Sequence, residues 1–122
     1  MRQLIFDSSF LMAVAEHPTR WMEDTAEAIG SFQPVLLDCV KSELETISEG
    51  RGKRAAMARV ALDLSAGFQP GPSGQSNPDD EITSAALRGG AAVATVDQRL
   101  VDSLRAMKVQ VVRLSQGRVV RA

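Results

Sequence analysis

Of the 122 residues, one is cysteine, one is histidine and none is tyrosine. The lone Cys39 cannot close an internal disulfide and has no metal-ligand spacing around it, so it reads as a small core residue beside a buried strand. The lone His17 has no histidine or cysteine partner and reads as an ordinary residue at a helix end. Aromatic residues make up 4% of the chain, four phenylalanines and one tryptophan. That is too few for a sheet surface that stacks RNA bases, and Trp21 reads as a core or interface residue. No stretch approaches the ~20 apolar residues of a membrane helix. Acid interrupts the opening Met1-Arg2-Gln3-Leu4-Ile5-Phe6-Asp7 after three apolar residues, so no secretory leader is expected and a cytoplasmic protein is the default. Excess basic charge is lacking too: the formal net charge is −1. This argues against a protein held on nucleic acid by bulk electrostatics.

The remaining composition is that of a globular protein, 44% hydrophobic and 24% charged. The length suits a single domain spanning residues 1–122. Short apolar runs alternate with helical patterns. Gln3–Phe6, Pro34–Leu37, Ala91–Thr95 and Val109–Leu114 read as buried strands, with Val119-Val120 as an edge strand after a Gly117 turn. Helices are expected after Asp7, from a Thr19 cap to Ile29 along a Trp21, Met22, Thr25, Ala26 and Ile29 face, and after an Asp38 cap. Further helices are expected over Ala55–Ala66, Asp79–Leu87 and after Asp97. The Ala55–Ala66 helix carries the apolar Ala56, Val60, Leu62 and Leu64, and Gly67–Gln69 is expected to form a brief strand. Pro70–Pro78 is a loop, either an active-site flap or a surface connector. Strands alternating with helices predict an α/β fold, a mainly parallel sheet covered on both faces. Arg51, Lys53, Arg54 and Arg59 form one basic cluster, and Arg113, Arg118 and Arg121 another. Each reads most simply as a solvated face.

Four acids stand out against this frame: Asp7 in Leu4-Ile5-Phe6-Asp7-Ser8-Ser9, Glu43 in Val40-Lys41-Ser42-Glu43-Leu44, Asp79 in Asn77-Pro78-Asp79-Asp80-Glu81-Ile82, and Asp97 in Val93-Ala94-Thr95-Val96-Asp97. In a parallel sheet the strand-to-helix junctions share the carboxyl edge, so these four distant residues could meet there. Converging carboxylates repel one another unless a hard cation neutralises them, and oxygen ligands suit Mg²⁺ or Mn²⁺. Asp80 is the second choice to Asp79, since one helical turn lets only some of three adjacent acids face inward. Each aspartate also precedes a helix and could serve as its cap, and Asp38 competes more weakly with Glu43.

The same four segments resemble those of the PIN-domain family, small α/β nucleases that include toxins of toxin–antitoxin pairs and rRNA-processing enzymes. Phe6-Asp7-Ser8-Ser9-Phe10-Leu11 is similar to the family's opening aspartate with its Ser/Thr pair, and Glu43 to its helical glutamate. Asp79 through Leu87 resembles its third motif, and Thr95-Val96-Asp97 its Thr-x-Asp motif, with Val96 where the family often has Asn. The likeness runs in order along nearly the whole chain and leans toward the short archaeal-type, rRNA-processing branch. It implies a three-layer α/β/α sandwich and divalent-metal-dependent cleavage of RNA phosphodiester bonds, leaving a 5′-phosphate and a 3′-hydroxyl without a covalent intermediate. It also implies catalytic and metal-ligating roles for Asp7, Glu43, Asp79 and Asp97, and orienting roles for Ser9 and Thr95. The implied partners are an RNA substrate and, for a toxin, an antitoxin protein; a homodimer is open. The alternative is a non-catalytic PIN-like scaffold that binds RNA or protein. A receiver-type regulatory domain would need a lysine at a late strand end, and Lys41, Lys53 and Lys108 are not so placed.

Overall fold

The apolar runs Leu4-Ile5-Phe6, Val35-Leu36-Leu37 and Ala92-Val93-Ala94 are buried throughout, as strands covered on both faces must be. A computed structural model describes residues 1–74 and 76–122, placing these runs at the ends or centres of strands. In chain order the elements are β1 (Arg2–Phe6), α1 (Ser8–Glu16), α2 (Trp21–Ile29), β2 (Phe32–Leu37), α3 (Asp38–Ser48) and α4 (Lys53–Leu64). They continue with β3 (Gln69–Gly71), α5 (Pro78–Gly89), β4 (Ala92–Ala94), α6 (Gln98–Ala106), β5 (Val111–Ser115) and β6 (Arg118–Arg121). The sheet order is β3-β2-β1-β4-β5-β6, and every pairing is parallel except the last. The predicted α/β class with a mainly parallel sheet is the observed one.

The chain lays β1, β2 and β3 down in one direction and then returns to place β4 on the other side of β1. The β1/β4 boundary is therefore the switch point at which open α/β sheets form a crevice beyond their carboxyl ends. A bond from the Asp7 backbone N–H to the Ala94 carbonyl, 2.9 Å, continues the pairing one step into that crevice. The β5–β6 hairpin turns at Gln116 and Gly117, both with positive φ (52° and 78°). That is the primed two-residue geometry that matches strand twist, and glycine serves it without strain.

Phe6 anchors the core. Its ring lies 4.9 Å from Phe68, 5.5 Å from Phe10 and 5.6 Å from Trp21, centroid to centroid. Trp21 is thus committed to packing, edge-on to Phe6. Behind the sheet, α4 packs on α1 and α3 through Ala55, Ala58 and Ala61.

The larger apolar residues of the helix, Val60, Leu62 and Leu64, do not make that face. Val60 and Leu64 are exposed, because small alanines let three helix backbones approach where larger residues would hold them apart. The face of α2 differs in part: Thr25 is buried as expected, but Asp24 is buried beside it while Met22 and Ala26 are exposed. Arg20, rather than Thr19, stands at its cap position and makes no side-chain cap bond. The Thr19 hydroxyl is buried with no partner among the described residues. Leu37, rather than Asp38, precedes α3, and Asp38 supplies negative charge in its first turn. The brief strand lies at Gln69–Gly71, two residues beyond Gly67–Gln69, where it pairs with β2. The expected Pro70–Pro78 loop is shortened at both ends by β3 and α5; Gln75 within it lies outside the described residues.

Candidate functional site

Asp7 follows β1 directly and occupies the cap position of α1, yet its side chain makes no cap bond. It is 5% exposed. Its Oδ2 accepts from the Ser9 hydroxyl at 2.6 Å and the Thr95 hydroxyl at 2.8 Å. Those hydroxyls in turn accept from backbone: Val96 N–H donates to Ser9 Oγ at 3.2 Å, and Asp97 N–H to Thr95 Oγ1 at 3.1 Å. A hydroxyl has one proton. With both protons given to Asp7, the 3.2 Å approach of Ser9 Oγ to Thr95 Oγ1 is a contact between neighbours. Two backbone dipoles of the Thr95–Asp97 turn are thereby relayed through two hydroxyls onto one buried carboxylate. A capping role for Asp7 is displaced by this tertiary network, which the local sequence cannot show.

Asp97 does cap its helix: its Oδ1 accepts from the Arg99 N–H at 3.0 Å. Glu43, half-buried on α3, accepts through Oε1 from the Ser8 hydroxyl. Asp7, Glu43 and Asp97 thus share one pattern. One carboxylate oxygen is anchored, and the other has no hydrogen bond among the described residues. Ser8 was not anticipated as a site residue; its place between Asp7 and Ser9 was the available signal.

On α5 three adjacent acids separate by partner. The Asn77 side chain accepts from the Asp80 N–H and donates to Asp80 Oδ2, both at 3.0 Å, a reciprocal cap that ties Asp80 to the helix start. Glu81 turns toward the preceding loop and accepts from the Gly74 N–H. Asp79 is left with no side-chain hydrogen bond among the described residues. Burial, and then the negative charges of Asp7, Asp97, Glu43 and Asp80 in that order, raise its pKa above the ordinary carboxylate value. Asp79 therefore senses all three other predicted acids, which ties α5 electrostatically to the β1/β4 crevice.

The ion pair found among the described residues joins Lys53 to Glu16. Among the described residues no lysine or arginine forms an ion pair with any of the four acids. Their unanchored oxygens are hard donors of the kind that suit Mg²⁺ or Mn²⁺ rather than soft metals. Among the described residues no three His, Cys, Asp or Glu side chains already stand in ion-holding geometry. Fixed anchors on three carboxylates and like-charge repulsion are consistent with that spacing.

Three clefts open around the site. One of ≈ 510 Å³ runs past Glu43 between α3 and Ser73, Gly74, Ser76 and Pro78, one of ≈ 350 Å³ exposes Asp79 and Asp97, and one of ≈ 490 Å³ lies beyond Ser9. Burial raises the Cys39 pKa, in keeping with a packed thiol, and its backbone N–H donates to Ser73 Oγ at 2.8 Å. Among the described residues no helix is long and apolar enough to cross a membrane.

Comparison with solved structures gives a close likeness to one described as the PIN domain endonuclease Utp24. The TM-score is 0.82 at 21% identity, covering 98% of this chain and 90% of that one. A weaker likeness is to PAE2754 from Pyrobaculum aerophilum, with a TM-score of 0.55 at 18% identity, covering 83% and 78%. At these identities the likeness is one of fold. A search of curated protein sequences gives no significant match. The sequence itself matches the family model described as the PIN-like domain over residues 4–117, which takes in Asp7, Glu43, Asp79 and Asp97; the chain belongs to that family.

Proposed function

We propose that this protein is a divalent-metal-dependent endoribonuclease that hydrolyses RNA phosphodiester bonds in the cytoplasm. The observation that carries the reading is the set of four acids around the switch-point crevice with no ion pair among the described residues, three of them anchored by one oxygen and the pKa of Asp79 raised by burial and by the charge of the rest. The structurally similar Utp24 is described as an endonuclease, and the same reaction class at this crevice fits the residues here.

Asp7, Asp79 and Asp97 would ligate Mg²⁺ or Mn²⁺ through their unanchored oxygens. Glu43 would ligate or hold a water at the same place. When bound, the ion would supply charge neutralisation and Lewis acidity toward a phosphoryl oxygen. The chain's own contribution is preorganisation. Ser9 and Thr95 fix the plane of the Asp7 carboxylate, Ser8 fixes Glu43, and the α6 cap fixes Asp97, so the groups need not reorganise when charge develops at phosphorus. Glu43 would hold and orient the water for in-line attack, and the leaving 3′-oxygen would take up a proton from solvent. The chemistry serves RNA maturation and toxin action alike; as a toxin the protein would pair with an antitoxin.

The test is cleavage of a labelled structured RNA with Mn²⁺, with EDTA, and by an Asp7→Asn/Asp97→Asn variant shown by circular dichroism to be folded. Cleavage that requires the ion and disappears in the variant is expected. Wild-type protein that binds RNA but cuts none would favour the scaffold alternative.

A further inference from the structure

We infer that the cleft between α1 and the start of α4 seats single-stranded RNA next to the acids, with Arg54 and Lys53 on the phosphates and Met12 and Met57 beneath a base. The inference rests on the ribonuclease reading and adds the route by which the substrate strand reaches the acids.

The cleft, ≈ 490 Å³, is continuous with the site because Ser9, which lines it, donates to Asp7. A polyanion approaching four carboxylates needs compensating positive charge; the cleft over Glu43 is walled by acids without a cation, and the cleft over Asp79 and Asp97 sets Arg99 against three acids. The cleft beyond Ser9 sets two cations, Lys53 and Arg54, against one acid, Glu16. Lys53 is held by Glu16 at 2.7 Å, but both side chains are well exposed, so the pair is weak and can be exchanged for a phosphate. Arg54 is exposed and makes no ion pair among the described residues.

The pair with Glu16 accounts for Lys53, whereas the position of Arg54 is unexplained by a solvated face. Both cations stand in the first turn of α4, where the helix dipole disfavours positive charge. That turn has neither an acidic residue nor a side-chain cap. A sequence selected only for helix stability would place Asp, Ser or Glu there. Cations at that end, together with the unbonded N–H groups of the first turn, make a region suited to a phosphate backbone.

The floor is apolar and soft. Met12 and Met57 line the cleft from the two helices, and thioethers take up the face of any base without demanding a particular one. Bases are available to such a floor when unstacked, as in loops and single strands, and not within an A-form duplex.

The experiment is fluorescence anisotropy with a labelled single-stranded oligoribonucleotide of mixed sequence, in EDTA, over a series of NaCl concentrations. Arg54→Ala should raise Kd about 3- to 10-fold and reduce the slope of log Kd against log[NaCl] by about one. Met57→Ala should raise Kd with the slope unchanged. Arg2→Ala, at the opposite edge of the sheet, should leave both within about twofold. The melting temperature of Arg54→Ala should equal or exceed wild type, since a disfavoured charge is removed; a merely structural role would lower it. An Arg54→Ala variant that binds with wild-type Kd and salt slope overturns the inference, and Mn²⁺-dependent cleavage by wild type would then leave the nuclease reading standing. Wild-type protein that neither binds nor cuts RNA overturns both.

Discussion

Replacing Thr95 by valine removes one hydroxyl from a fully buried position and keeps the shape of the side chain. Two groups lose a partner. Asp7 Oδ2, on a carboxylate 5% exposed, falls from two donors to one. The Asp97 N–H, which gives its proton to Thr95 Oγ1 at 3.1 Å, has no acceptor. A hydrogen bond to a charged group contributes ~1.5–3 kcal/mol, and an orphaned buried donor costs ~1–3 kcal/mol, so partial relaxation leaves a loss of about 2–4 kcal/mol. Thr95→Ser keeps the hydroxyl and deletes one buried methyl, for about 0.5–1.5 kcal/mol. In urea denaturation, with m of ~1–3 kcal/mol/M, the valine variant should unfold roughly 1–3 M earlier than wild type and the serine variant less than ~1 M earlier. On the ribonuclease reading, valine also lowers Mn²⁺ affinity or cleavage about 10- to 100-fold while serine spares it. A valine variant as stable as the serine variant would refute the relay of backbone dipoles onto Asp7.

Other perturbations read different parts of the account. The pKa of Asp79 is raised in the folded protein, so the folded state holds the proton more tightly than the unfolded one. Stability from this group is therefore present at low pH and lost as pH rises through the raised folded value. Asp79→Asn should accordingly melt higher than wild type at pH 7 in EDTA, and the order should reverse in saturating Mn²⁺, where wild type gains binding free energy; thermal melts in the two buffers check both signs. Asp80→Asn should cleave within about threefold of wild type, and Asp79→Asn should fall by about 10²-fold or more, in parallel single-turnover assays. Gly71→Ala should destabilise by about 1–3 kcal/mol in urea, because its Cβ would lie 2.8 Å from Leu37 Cδ2 and 3.0 Å from Val35 Cγ1.

The fold was largely legible because strands buried on both faces read as short continuous apolar runs, and α4 and α5 are bounded by glycine or by Asn77-Pro78. The helix faces were less so. In α4 the buried stripe is Ala55, Ala58 and Ala61, and hydropathy gives alanine less weight than the exposed Val60 and Leu64. Asp7 and Asp97 could be picked out by their positions after strands and Asp79 by its place at a helix start, whereas Glu43 lies inside α3. The tethering of the acids could not be read, since Ser8 to Glu43 and Thr95 to Asp7 span 35 and 88 residues. The reciprocal bond between Asn77 and Asp80, which favours Asp79 as the proposed ligand, follows a local Asn-x-x-Asp spacing that could have been read.

The central claim is that four carboxylates form one divalent-cation site, and calorimetric titration of Mn²⁺ into wild type, Asp79→Asn and Asp80→Asn tests it most directly. The account predicts saturable binding to wild type, affinity at least about 10-fold weaker for Asp79→Asn, and little change for Asp80→Asn. No binding to wild type, or equal binding to wild type and Asp79→Asn, would contradict it.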